Sequence, residues 1–413
     1  MNSRRIVIAT ALCALPALAQ EKLISKEDAV RIALAYNQSL RANRLNVDQN
    51  KANEITASLK PNPTLSLGVD AIPVFSPQTI RFDTQIYSAG LSYTVEKGGK
   101  REKRVVVAKD NTLMAAQNVT DNERTLKFQV VQAFINVLLA KSVLALAKDD
   151  LANFSQEVDL NHARLVAGDL AEGDYLKLSL QKLQFEQDVS AAVLGLVQAR
   201  ATLRQLLGYQ SVTDDFDVKG TLQHTKPVVT LEDLEKKALD SRPDLQAAHT
   251  GVTLANDTVS LAFGNRARDW TWGGDYSYQS STQIGAGVSF SMDLPIHDRN
   301  QGEIARSQAA VKQSVETEAS TKVGVETDVV NAYYGLKSNE EIVNLYESGY
   351  LKQATDSRDI SNYAYQRGAA SILDLLDAER SYRATQLAYR QALAAQMIAV
   401  EQVNQAAGAQ VLP

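Results

Sequence analysis

Proline is missing from two long stretches of this chain. Pro77 is followed by none until Pro227, and Pro295 by none until Pro413. A proline inside a helix costs about 3 kcal/mol, so gaps of this size permit very long helices. The intervening sequence is rich in Ala, Leu, Gln, Glu, Lys and Arg, all good helix formers. Val130, Val137, Leu144, Leu151, Val158 and Leu165 recur every seven residues, and Ala133, Ala140, Ala147 and Phe154 follow the first four by three. That a/d seam predicts extended coiled-coil packing, with small residues admitting close helix approach, rather than the core of a compact bundle. Helices are expected at about 25–59, 100–166, 172–206, 231–265, 300–366 and 372–407. The second of these spans about 100 Å. The helices at 172–206 and 25–59 are each about half as long and would match it if stacked end to end. The second half of the chain repeats the arithmetic.

Four segments alternate with a period of two, which predicts strands at about 64–71, 82–96, 270–279 and 283–294. In the second, Tyr87, Ala89, Leu91, Tyr93 and Val95 alternate with Ser88, Gly90, Ser92, Thr94 and Glu96. In the fourth, Ile284, Ala286, Val288, Phe290, Met292 and Leu294 oppose Gln283, Gly285, Ser289, Ser291 and Asp293. An apolar face with aromatics, opposite a small polar face, suits a barrel wall between lipid and water. A soluble two-sheet sandwich is the competing reading, but four strands flanked by very long helices supply too few for it. Four strands also cannot close a membrane barrel, and an open edge in lipid leaves backbone groups unsatisfied. Spanning strands therefore require several chains to pool them, and three chains would supply twelve.

The chain also reads as an internal duplication. Ala33-Leu34 with Leu40-Arg41-Ala42 matches Ala238-Leu239 with Leu245-Gln246-Ala247 at an offset of 205. Ala89-Gly90 matches Ala286-Gly287 at 197, and Gly168 with Asp174 matches Gly368 with Asp374 at 200. The expected division is 20–220 and 221–413, each helix, two strands, long helix, turn, helix.

Residues 1–19 read as an export signal. Arg4 and Arg5 precede the apolar stretch 6–15, Pro16 breaks it, and Ala17-Leu18-Ala19 fits a cleavage site. Cleavage after Ala19 removes Cys13, the one cysteine of the 413 residues. Lipidation of Cys13 is the alternative, which Leu12 disfavours, and a twin-arginine route is another. With 22% charged residues of mixed sign and a net charge of −5, no nucleic-acid footprint shows. Beyond the N-terminus no unbroken apolar run reaches about 18 residues, so no transmembrane helix is expected.

In this context the sequence resembles the TolC-like outer-membrane efflux proteins, closest to the heavy-metal-efflux (CzcC/CusC-like) branch. The residues carrying the resemblance are Pro61-Asn62-Pro63, Glu96-Lys97-Gly98-Gly99-Lys100-Arg101, and Leu294-Pro295-Ile296-His297-Asp298-Arg299-Asn300-Gln301-Gly302, in that order on the duplicated pattern. It implies a mainly α chain with membrane β strands. Three copies would form a homotrimeric α-barrel of coiled-coil helices, topped by a shared twelve-stranded β-barrel in outer-membrane lipid. The implied partners are a periplasmic adaptor (membrane fusion) protein and an inner-membrane RND-type pump. The implied function is a passive gated duct, for heavy-metal cations or alternatively for small organic toxic compounds. A structural periplasmic coiled-coil or adhesin is the reading from another class.

Asp374 and Asp377 lie on one face of the last helix, and in a trimer each makes a ring of three carboxylates at the periplasmic entrance. An acidic first turn favoured by the helix dipole is the structural alternative, and the two readings are compatible. By the resemblance, Tyr365 and Asp174 link an inner to an outer helix in the closed gate. The arginine expected four residues before the first ring aspartate is Ala370 here, and Arg367 is out of register. Val166, Ala167, Gly168, Arg367 and Gly368 form turns that, by the resemblance, would meet the adaptor. Lys97-Gly98-Gly99-Lys100-Arg101 lacks the full phosphate-loop pattern, so nucleotide binding is not expected. His162, His224, His249 and His297 show no i, i+4 pairing. No metal site, cofactor or catalytic residue is expected.

Overall fold

A computed structural model describes residues 23–70, 85–279 and 283–412. The expected export signal, its cleavage site and Cys13 lie outside the described residues, as do positions 71 and 82–84 of the expected strands.

The long helices form where proline is missing. α3 (Lys100–Ala167) runs 68 residues without a break, about 100 Å. Its neighbour in sequence, α4 (Glu172–Leu207), returns beside its C-terminal half, and α9 (Ile372–Ala407) is the counterpart in the second half of the chain. The heptad seam of α3 is buried at Val130, Ala133, Val137, Phe154 and Val158 and half-buried between. α3 also contains an 18-residue window apolar enough for a membrane span, which the run lengths did not suggest because polar residues interrupt it. The apolar middle of the helix, including Val130, Phe134, Val137 and Leu138, packs against the helices beside it.

Two expected single helices are each broken in two. α1 (Lys26–Tyr36) and α2 (Gln38–Ser58) meet at Asn37, whose side chain accepts from Leu40 N–H and so starts a new helix. α5 (Leu231–Ser241) and α6 (Pro243–Gly264) meet at Arg242, because Pro243 occupies the first helical position and holds the preceding residue extended. Asn37 and Arg242 differ by the same 205 residues that separate the matching sequence blocks. At the first break Asn37 Nδ2 donates to Leu206 O (2.9 Å), so the end of α4 abuts the start of α2. At the second, Gly408 closes α9 directly against Arg242.

The second long helix is also interrupted. α7 (Gln301–Leu345) passes through a π-helical turn, Tyr346–Tyr350, into α8 (Leu351–Gln366). Gly349 there has φ 148°. Asp149, at the matching offset, lies inside unbroken α3.

β2 (Thr64–Asp70), β3 (Ile86–Val95), β5 (Trp270–Gln279) and β6 (Gln283–Ser291) form one antiparallel sheet in that order. β6 stops three residues short of the expected Leu294, because its partner β5 begins at Trp270 and their last register pair is Thr271 with Ser291; beyond it the chain turns, Ile296 N–H donating to Leu294 O. A small parallel pair, β1 (Leu23–Ile24) with β4 (Asp217–Val218), was not foreseen, being too short to show a period. Helices of the upper half neighbour in the order α2, α3, α6, α7, matching β2, β3, β5, β6 above them. Lower down the order is α4, α3, α9, α8.

The turn from β3 into α3 needs two left-handed residues, Gly98 (φ 75°) and Gly99 (φ 64°). Asn300 (φ 59°) serves the corresponding turn into α7. A Cβ on Gly98 would stand 2.5 Å from Gly264 O at the end of α6. Gly98→Ala is therefore expected to lower unfolding stability by about 1–3 kcal/mol. Gly302→Ala, within α7 and facing open space, is expected to raise it by up to about 1 kcal/mol. Denaturant titration of both variants checks the pair.

Candidate functional site: the sheet wall and the helical tip

The cross-strand register sorts the sheet into two faces. Leu91, Gly274 and Val288 share a row, as do Tyr93, Trp272 and Phe290, and Tyr87, Tyr278 and Ile284. Leu65, Leu67 and Val69 continue this face onto β2. Its side chains are exposed, with Val288 86% and Leu67 76% accessible. The opposite face carries Ser66, Ser88, Ser92, Thr94, Thr271, Asp275, Ser277, Gly285, Gly287 and Ser289. There an added Cβ on Gly273 or Gly90 would meet a serine hydroxyl at 2.5 or 2.7 Å, so only small residues fit that side. Aromatics cluster at both ends of the apolar face. Trp270, Trp272 and Phe290 lie near the helices, with rings 4.8 and 6.2 Å from Phe290, and Tyr87 and Tyr278 lie at the far end. Trp270 and Tyr278 are about 26 Å apart along the strand, close to the apolar band of an outer-membrane barrel.

At the other end of the molecule, Gly168 (φ 82°) and Gly368 (φ 73°) close the long helices in matching turns. Gly168 N–H donates to Leu165 O, and Gly368 N–H to Tyr365 O, both at 3.0 Å. Val166, Ala167 and Arg367 stand exposed at these turns. Arg367 lies over the Tyr363 ring, 5.3 Å from its centroid.

Asp374 is the third residue of α9 and closes a capping box with Ser371. Its carboxylate accepts from Ser371 Oγ (2.7 Å) and Ser371 N–H (3.0 Å). These bonds, the hydroxyl first, hold its pKa below the usual carboxylate value. Ser371-x-x-Asp374 before an apolar run was the sequence signal for this cap. Asp377 is exposed one turn on, 3.8 Å from Arg380.

Within the chain Tyr365 and Asp174 are not bonded to each other. The buried Tyr365 hydroxyl donates to Asn161 Oδ1 (3.0 Å), tying α8 to α3. Burial raises its pKa, and the Asp174 charge adds to that rise. Asp174 itself pairs with Lys177 at 2.9 Å.

Sequence reasoning missed the polar seam above this tip. Arg383 on α9 bonds Asp188 on α4, lies 3.7 Å from Asp150 on α3, and covers the Phe185 ring. Asn362 donates to Glu157 at 3.1 Å. Glu379 sits among these groups, and burial, reinforced by Asp150 and Glu157, pushes its pKa up to about 7. Higher up, Glu347 in the π turn pairs with His224 Nδ1 (2.9 Å) and accepts from Tyr389 Oη (3.1 Å). Heptad arithmetic finds apolar positions, so charged residues that enter a seam from three helices leave no periodic trace. Among the described residues no three His, Cys, Asp or Glu converge as a metal site.

An exposed apolar sheet face backed by a small polar one, carried on helices of about 100 Å, defines the wall of a membrane channel with a long helical extension. The chain belongs to the outer membrane efflux protein family, whose model matches residues 29–209 and 234–409. It is accordingly an outer-membrane efflux channel protein with a periplasmic helical extension. Among curated relatives it is 22% identical over 368 residues to the cobalt-zinc-cadmium resistance protein CzcC of Cupriavidus metallidurans, covering 89% of this chain and 85% of that one. It is 25% identical to the probable outer membrane lipoprotein SilC of Salmonella typhimurium, over 86% and 79% of the two chains. A crystal structure of CusC superposes with TM-score 0.77 at 20% identity, covering 93% of this chain and 92% of that one.

The Glu379 shift sets a pH dependence. A carboxyl whose folded pKa lies above its unfolded value gives full stability below the unfolded pKa, and that contribution is lost as pH rises through the folded one. Stability should fall between the ordinary glutamate value of 4.5 and about 7. Glu379→Gln is expected to flatten this fall, gaining on the order of 1 kcal/mol over wild type at alkaline pH once solvent screening is allowed for. Denaturant midpoints on either side of that window test it.

Proposed function

We propose that three copies of this chain form the passive duct of a tripartite exporter, and that its cargo is heavy-metal cations. The observation that carries the assembly is the pair of open edges. β2 and β6 each pair on one side only, and the helices beneath them end the layer at α2 and α7. Leu180, Leu194 and Val197 on α4 and Leu345, Tyr350 and Ile360 on the α7–α8 side are exposed apolar groups at the same two flanks. Joining β2 of one copy to β6 of the next satisfies the backbone groups that lipid cannot and covers these side chains. Four strands from each of three copies make a twelve-stranded barrel with the apolar face outward. The two matched stretches of the family model support reading 20–220 and 221–413 as repeats.

Energy then comes from an inner-membrane RND-type pump, and a periplasmic adaptor meets the turns at Val166, Ala167, Gly168, Arg367 and Gly368. Asp374, whose cap bonds lower its pKa, and exposed Asp377 form two carboxylate rings at the entrance and favour cations there. The Asn161–Tyr365 bond, with Asp174 beside it, holds α8 to α3 and serves the closed entrance. Heavy-metal cargo is supported by the names of the relatives CzcC and, in Escherichia coli, the cation efflux system protein CusC.

Single-channel recording of the purified protein in planar bilayers tests this. Long-lived, cation-preferring channels are expected. Asp374→Asn/Asp377→Asn, which keeps the helix cap, should reduce cation preference several-fold and weaken block by trivalent cations. Channels indifferent to the double variant would remove the rings from the mechanism. Absence of both trimer and insertion would end the duct reading. Cells lacking the protein should become sensitive to metal salts, and sensitivity to organic compounds instead would reassign the cargo.

A further inference from the structure

The junction between sheet and helices carries charge to which the proposed duct assigns no role. Residues 59–63, 96–104, 265–269 and 292–300 hold nine Lys and Arg against five Asp and Glu, in a chain of net charge −5. Some of this is neutralised locally, Lys100 by Asp269 (2.8 Å) and Arg104 by Glu96. Lys60, Lys97, Arg268 and Arg299 have no carboxylate partner among the described residues.

The placement of three of these is specific. Lys97 Nζ stands 3.9 Å from the centroid of the Trp270 ring. Trp270 belongs to the exposed apolar face and meets Phe290 edge-on, so Lys97 lies on that side of the sheet. Arg268 precedes Trp270 by two residues. One of its terminal nitrogens donates to Asp298 O, while its buried Nε has no partner. Arg299, exposed in the Pro295–Gln301 turn, is anchored through Nε to Pro295 O (3.2 Å).

We propose that this collar binds the phosphate groups of anionic phospholipids in the periplasm-facing leaflet of the outer membrane. The proposal rests on the barrel reading, which puts the helix end of the sheet at that leaflet. Cationic side chains beside an anionic headgroup layer are attracted to it, and guanidinium groups match phosphate oxygens. A lysine over an interfacial tryptophan extends its charge to headgroup depth while its stem stays on apolar surface. A lipid also gains from its acyl chains lying along Trp270, Trp272 and Phe290, which a free phosphate ion cannot do.

The experiment uses the detergent-purified protein, verified as an oligomer that forms channels. Phosphatidylglycerol or phosphatidylcholine is added, retained lipid is counted by native mass spectrometry, and the thermal midpoint is recorded. Phosphatidylglycerol should be retained preferentially and raise the midpoint more, with the difference shrinking at high salt. Lys97→Gln/Arg268→Gln/Arg299→Gln should lose at least half of that difference, Lys97→Arg should keep it, and exposed Lys236→Gln on α5 should not change it. Equal response to the two lipids would overturn the proposal. So would equal stabilisation by glycerol phosphate, which identifies an anion site that takes no lipid. Channels without lipid preference sink this inference alone, whereas a protein that forms no channel sinks the duct reading and this with it.

Discussion

The backbone along β2 and β6 governs much of what this chain can be. Each strand has one edge whose N–H and C=O groups find no partner in the described chain. In water such an edge is a hazard, and in hydrocarbon it is prohibitive. An exposed apolar face fits a membrane, and a membrane requires a closed sheet. The helical layer follows the same order as the strands above it. One repeating junction between copies would therefore close the sheet and the helical wall together.

The helices provide height and the turns provide alignment. α3 stands opposite two shorter helices laid end to end, and the join is a hydrogen bond from Asn37 to Leu206 O. Gly98 lets α3 start within contact of α6, so sheet register and helix packing are fixed at one point. At the far end Gly168 and Gly368 turn the chain back within a few residues. Asp374 serves its own helix first: its carboxylate accepts from the Ser371 hydroxyl and N–H that close the α9 cap, and these bonds hold its pKa below the usual carboxylate value.

Much of this was legible in the residue pattern. Proline spacing located the long helices within a residue or two at α3, α4 and α9, and period-two alternation found all four sheet strands. Breaks were harder. Asn37 is a cap residue inside a helical pattern, and the π turn at Tyr346–Tyr350 contains one permissive glycine inside an otherwise helical stretch. Both depend on tertiary partners, Leu206 for one and His224 with Tyr389 for the other. The capping role of Asp374 was written in Ser371-x-x-Asp374. The partner of Tyr365 was not readable, because Asn161 lies 204 positions away with no motif around it.

The two long helices differ in one mechanical respect. α3 is a single unbroken rod, whereas its counterpart has a joint at Gly349, braced by Glu347 against the linker residue His224 and against Tyr389 of α9. A wall of paired struts, one stiff and one articulated, does not deform evenly under load. Bending would concentrate at the joint, turning the part below it, α8, while the stiff strut keeps its line. On the duct reading, one angle per subunit at this joint would set the aperture at the tip, adjustable from a brace that lies well above the opening itself.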